Sequence, residues 1–151
     1  MRASTASGPS RGGEKAGCRP CLSDRLAAEH RELARELGLF LRVGDEADEA
    51  PRAAFLRDVD RVSGWLTQRV IPHIHAEHEL RARLAVRDHR PVAEHEGHAA
   101  IAELARRLAE LRTRLKKSDD HHVRAEVRRV LDELYALTRL HFEDEVGEPA
   151  R

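Results

Sequence analysis

Aromatic residues are scarce, at 3% of 151 positions, and runs of β-branched residues of the kind that build strands are missing. Ala, Leu, Arg and Glu take their place; these are strong helix formers, so an all-α fold is expected. No stretch comes near the roughly 18 apolar residues of a membrane span. The N-terminal MRASTASGPSRGGEKAG lacks the apolar segment of a secretory signal, and its Gly and Pro interrupt the amphipathic helix of a transit peptide. A soluble, cytoplasmic protein is the expectation. Net charge is missing too. Twenty-seven basic side chains cancel 27 acidic ones, which leaves no field to attract nucleic acid or an anionic membrane surface. Lysine occurs only at Lys15, Lys116 and Lys117, which beside abundant Arg reads as a GC-rich coding sequence. Cysteine is confined to Cys18 and Cys21, in CRPC. Such a pair can be a redox couple or half of a zinc site. With no second half-site and no βαβ pattern around it, it reads as a reduced dithiol without a catalytic role.

The length suits one domain able to bury its own core. Residues 1–21, rich in Ser, Gly and Arg and without periodicity, read as a disordered tail, so the folded unit is expected over 22–148. Ser23 or Asp24 can cap a first helix whose stripe is Leu22, Leu26, His30, Leu33, Leu37 and Leu41, ending near Val43 and Gly44. GDEADEAPR is a loop, and Pro51 suits the first turn of a second helix. There the stripe runs Phe55, Val59, Val62, Leu66, Val70, His73, Glu77, Leu80 and Leu84, in steps of three or four. Pro72 predicts a kink just before His73, because its ring displaces a carbonyl one turn back. After a turn at RDHRP, Pro91 opens a third helix: His98, Ile101, Leu104 or Ala105, Leu108, Leu111 and Leu115. Past KKSDD, Ser118 or Asp119 caps a fourth, with Val123, Val127, Val130, Leu134, Leu137 or Thr138, His141 and Glu145. Four helices joined by short loops predict an up-down-up-down antiparallel four-helix bundle.

Ten histidines are roughly three times the usual share for this length, and several of them break the apolar stripes. His30, His73, Glu77, His98, His141 and Glu145 stand where a stripe would otherwise carry Leu or Val. One histidine on an apolar face is ordinarily a core residue bonded to a carbonyl. Six polar residues at one depth are different, since a buried carboxylate without a cation costs several kcal/mol. The second and fourth helices both carry H-x-x-x-E, which sets imidazole and carboxylate one turn apart on one side. In an up-down bundle all six side chains reach the same end. EHRELARELGLFLR is similar to GHAAIAELARRLAE, and HIHAE to HFEDE, so each half of the chain repeats a His followed by H-x-x-x-E. Two half-sites imply two metal ions, with Glu77 and Glu145 placed to bridge them. Imidazole and carboxylate without thiolate suit non-haem iron, ahead of manganese or zinc. In IPHIHAEHEL the stripe selects His73 and Glu77 and leaves His75, His78 and Glu79 outside, about 140–160° away for the two histidines. HEGH at 95–98 is one residue short of a zincin motif, E-x-x-H is absent, and His121 and His122 are expected to face solvent.

Through AEHREL, IPHIHAEHEL, EGHAAIAEL and HFEDEV, the chain resembles the hemerythrin or HHE cation-binding family over about residues 22 to 146. The resemblance implies a carboxylate-bridged centre of two iron ions, held by His30, His73, Glu77, His98, His141 and Glu145. It would bind dioxygen or a similar small ligand. Oxygen-carrying members have a further histidine on the third helix; here that place holds Glu94, and His95 beside it is the substitute. Storage, sensing of oxygen or nitric oxide, iron handling and peroxide removal all fit, so binding is expected ahead of enzymatic turnover. With no output domain fused, a signal would pass through a protein partner. The other reading is a metal-stabilised structural or interaction bundle without oxygen chemistry.

Overall fold

The computed structural model of the chain describes residues 22–89, 91 and 96–144. The tail expected at 1–21, with Cys18 and Cys21, lies outside the described residues, as do Glu94, His95 and Glu145. Helices α1 (Leu22–Glu36), α2 (Gly38–Asp45), α3 (Arg52–Trp65), α4 (Ile71–Arg87), α5 (Glu96–Lys117) and α6 (His121–Asp144) carry the fold, and no strand occurs among the described residues. They make four rods. The first is α1 and α2, the second α3 and α4, and α5 and α6 are single helices. Along the first two rods α1 packs on α4 and α2 on α3; α3 also packs on α5, α5 on α6, and α6 on both α1 and α2. Each rod thus has two neighbours around a shared core, in which Phe40, Phe55, Leu66, Ile101, Leu108, Leu131 and Leu134 are fully buried. No helix is long and apolar enough to cross a membrane.

Two local irregularities shape the rods. The first rod is interrupted at Leu37, ahead of the weak helix former Gly38, where Phe40 N–H bonds the Leu37 carbonyl three residues back. Phe40 is fully buried and meets the Trp65 ring edge-on at 5.3 Å. The core face follows Phe40 and Val43, and Leu41 turns out at 38% exposure, contrary to the expected stripe. In the second rod, α3 joins α4 through one π-helical turn, Leu66–Val70. Pro72 has no N–H, and its ring cannot sit against the Gln68 carbonyl; widening the preceding turn accommodates both, and Ile71 N–H bonds Leu66 five residues back. The expected kink before His73 takes this form.

Leu84, also expected in the core, is 40% exposed, and most of the last turns of α4 are exposed with it; among the described residues α4 packs chiefly on α1. The helix ends at Arg87, and in the turn after it His89 is the one described non-glycine residue with positive φ, 53°. On α6 the core takes Thr138 (0% exposed), with Leu137 only half-buried. The cap of α6 is Asp120, instead of Ser118 or Asp119: its carboxylate accepts from Val123 N–H at 2.9 Å and from the Ser118 hydroxyl at 3.2 Å. Asp119 is engaged elsewhere, by Arg124 at 2.6 and 2.7 Å. Arg124 also donates to the carbonyls of Ala47 and Ala50, each at 2.8 Å, and lies 5.0 Å over the Phe55 ring. One guanidinium thereby ties the α2–α3 turn to the start of α6. Arg52 donates to the Lys116 carbonyl at 2.8 Å, satisfying an orphan acceptor at the C-terminus of α5.

Candidate metal centre

Four rods deliver polar side chains to one buried place. His30 comes from α1, His73 and Glu77 from α4, His98 from α5 and His141 from α6, with exposures of 2, 2, 3, 8 and 3%. Each sits at helical register with the apolar core of its own rod: His30 three before Leu33, His73 three after Val70, His98 three before Ile101, and His141 three after Thr138. The same burial that removes Leu33, Val70 and Ile101 from water removes the imidazoles. His75, His78 and Glu79 are exposed, as are His121 and His122, whose rings stack at 3.9 Å.

Glu77 is the hub, and its two oxygens serve different histidines. Oε1 meets His30 Nε2 in a close contact and His73 Nε2 at 3.0 Å. Oε2 lies 3.1 Å from His98 Nε2 and 3.1 Å from His141 Nε2. Burial alone would raise the Glu77 carboxyl, but the imidazoles of His141, His30, His73 and His98 gathered on it hold it far below the usual carboxylate range. Glu77 is therefore an anion in the protein interior. Burial pushes the His73 imidazole down, and Glu77 and Glu29 outweigh it, so that His73 lies above the usual value. At His141 burial wins and the imidazole is lowered despite Glu77.

Two further residues complete the surroundings. His73 Nδ1–H donates to Glu29 Oε2 at 2.8 Å, which fixes the tautomer and leaves Nε2 facing the cluster. Phe142, 2% exposed, lays its ring 5.3 Å from His30, 5.3 Å from His141 and 6.2 Å from His73. Neither is marked by the stripes: Glu29 precedes His30 on a partly solvated flank of α1, and Phe142 reads as the residue after His141. The signal for Glu29 lies in a rule about metal sites. A ligating histidine needs an acceptor for its other N–H, and the acid neighbouring His30 in AEHREL can supply one.

The donor set suits a cation. One ligand atom from each of His30, His73, Glu77 and His141 can be chosen so that all lie within 4.8 Å of one another. Two ligand atoms bonded to one ion at about 2.0–2.2 Å each lie at most roughly 4.2 Å apart, so the group is close to the size that encloses an ion. His73 Nε2 and both Glu77 oxygens are buried and, close as they are, meet no partner in good hydrogen-bond geometry, which is how lone pairs converging on a cation are disposed. This buried His/Glu group could hold a metal ion. His73→Ala is expected to lose bound metal while His75→Ala keeps it, as read by metal content after loading and desalting; equal losses would contradict the register. Comparison with protein-family models, with curated proteins and with solved structures found no match.

Proposed function

We propose that the chain is a hemerythrin-like protein, an up-down-up-down bundle whose His30, His73, Glu77, His98, His141 and Glu145 hold two iron ions and bind dioxygen or a related small ligand. The observation that carries this reading is the division of Glu77. One oxygen faces the His30 and His73 pair, and the other faces the His98 and His141 pair. A carboxylate that shares its two oxygens between two imidazole pairs is disposed as a bridge between two cations, each with two nitrogen donors, and this donor set suits non-haem iron. Glu145, one turn after His141 as Glu77 follows His73, would be the second bridge.

Such a centre would supply oxidisable ferrous metal, able to bind a small oxygen species and give it electrons. The chain's own residues hold and shield it. Glu29 holds the His73 ring through Nδ1, Phe142 packs on three of the imidazoles, and the buried Leu33, Val70 and Ile101 next to the ligands keep water away. Exclusion of water favours reversible binding over release of a reduced product. The same pocket serves storage, sensing of oxygen or nitric oxide, iron handling or peroxide removal.

The tightness of the four-residue group favours a second reading, in which one cation lies among His30, His73, Glu77 and His141 and serves only to hold the rods together. Stoichiometry separates the two. Anaerobic loading with ferrous iron is expected to give about two irons per chain, with near-ultraviolet absorption that changes on exposure to air and on reduction. One ion per chain with no response to air supports the structural reading. A colourless protein that folds fully without iron, and that anaerobic loading fails to change, sinks the iron reading altogether.

A further inference from the structure

Each histidine of the cluster has a core residue three positions along its helix: Leu33 beside His30, Val70 beside His73, Ile101 beside His98 and Thr138 beside His141, with exposures of 1, 0, 0 and 0%. Three of these are aliphatic and one carries a hydroxyl. Thr138 Oγ1 has no hydrogen-bond partner among the described residues. That is unusual for a helical threonine, which ordinarily donates to a carbonyl one turn back. The other two described threonines do so, Thr67 to Ser63 at 2.9 Å and Thr113 to Ala109 at 3.1 Å. The Ser63 hydroxyl is also buried without a partner. It stands ten residues before His73, about 15 Å along the rod, in a residue that is itself only half-buried.

A buried hydroxyl without a partner is costly, whereas valine has the same shape and would bury freely. The position of Thr138 says what could use it. Helical side chains lean toward the N-terminus, so the His141 imidazole lies over the turn that carries Thr138, about 60° away around the helix. His141 and His98 together face Glu77 Oε2. We propose that Thr138 is the hydrogen-bond donor this site offers to a small ligand with an acceptor atom, such as an anion or a reduced oxygen species, bound beside His98, His141 and Glu77 Oε2. The inference rests on the metal-binding reading above, and it makes Thr138 a determinant of which small ligand is held.

The test compares wild type, Thr138→Val and Thr138→Ser, each loaded with iron and titrated with azide as the probe anion. Thr138→Val is expected to keep its metal content and to weaken azide about tenfold, the range of one hydrogen bond to an anion, while Thr138→Ser stays within about twofold of wild type. Without metal, Thr138→Val is expected to melt higher than wild type, because an unpartnered hydroxyl has been removed. Unchanged azide affinity in Thr138→Val overturns the proposal. So does loss of metal by that variant, which would make the hydroxyl a support of the ligands, and so does a lower melting temperature, which would give it a partner within the protein. A wild-type chain that takes up no metal brings down the metal-binding reading first, and this inference with it.

Discussion

Glu77→Gln is expected to lower metal affinity by well over the roughly 100-fold that loss of a mere supporting hydrogen bond costs. The substitution keeps volume and shape but removes the one charge on which four imidazoles converge, at contacts of 3.0 to 3.1 Å for three of them. An amide has a single acceptor oxygen, so it cannot serve both imidazole pairs. Metal content after loading and desalting, with a competing chelator to set the affinity, reads the effect; near wild-type affinity would remove Glu77 from the ligand set. A second readout needs no metal. Because the folded-state carboxyl lies far below the usual range, its contribution to stability is present above about pH 4.3, the unfolded value, and is lost as pH falls below that. Metal-free Glu77→Gln should therefore lose less stability than the metal-free parent between about pH 4.5 and 2, as measured by urea unfolding across that window. Parallel curves would mean that the carboxyl titrates normally.

The four rods and the depth of His30, His73, Glu77, His98 and His141 were legible because each depends on one helix at a time. Steps of three and four residues place a side chain on a face whatever lies opposite. What was not legible depends on neighbours. Leu41 fits the stripe of the first rod as well as Phe40 does, and contact with Trp65 decides between them. Leu84 continues the stripe of the second rod, but it lies among the exposed last turns of α4, and only neighbouring elements could have covered it. Pro72 marks where the second helix must deform; the choice of a widened turn over a sharp bend belongs to the packing of that turn, whose first and last residues, Leu66 and Val70, are both buried. Within the site, the Glu29 contact with His73 and the Phe142 contact with three imidazoles arise between rods. The sharing of the Glu77 oxygens is likewise set by how the rods meet, and no spacing within one helix contains it.

The far end of the rods should govern stability as Glu77 governs metal. Phe55, 1% exposed, sits in the first turn of α3, 18 residues and roughly 27 Å before His73 along the second rod. Its ring carries the Arg124 guanidinium at 5.0 Å, and Arg124 in turn holds the carbonyls of Ala47 and Ala50 and the Asp119 carboxylate. Phe55→Ala opens a cavity and removes the surface on which that guanidinium rests, at an expected cost of about 3–5 kcal/mol, a large share of the total stability of a domain this size. With roughly 2–4 °C of melting temperature per kcal/mol, thermal unfolding should move down by about 6–20 °C. Metal content of the variant, loaded well below its melting point, should match wild type, since the ligands lie at the other end of the rods and distant sites are nearly independent. A loss below about 1 kcal/mol would show that the Phe55 and Arg124 junction is not a pillar of the fold. Loss of metal in a chain that remains folded would show instead that the two ends are coupled through the second rod, with the π-helical turn between Leu66 and Val70 as the element that joins them.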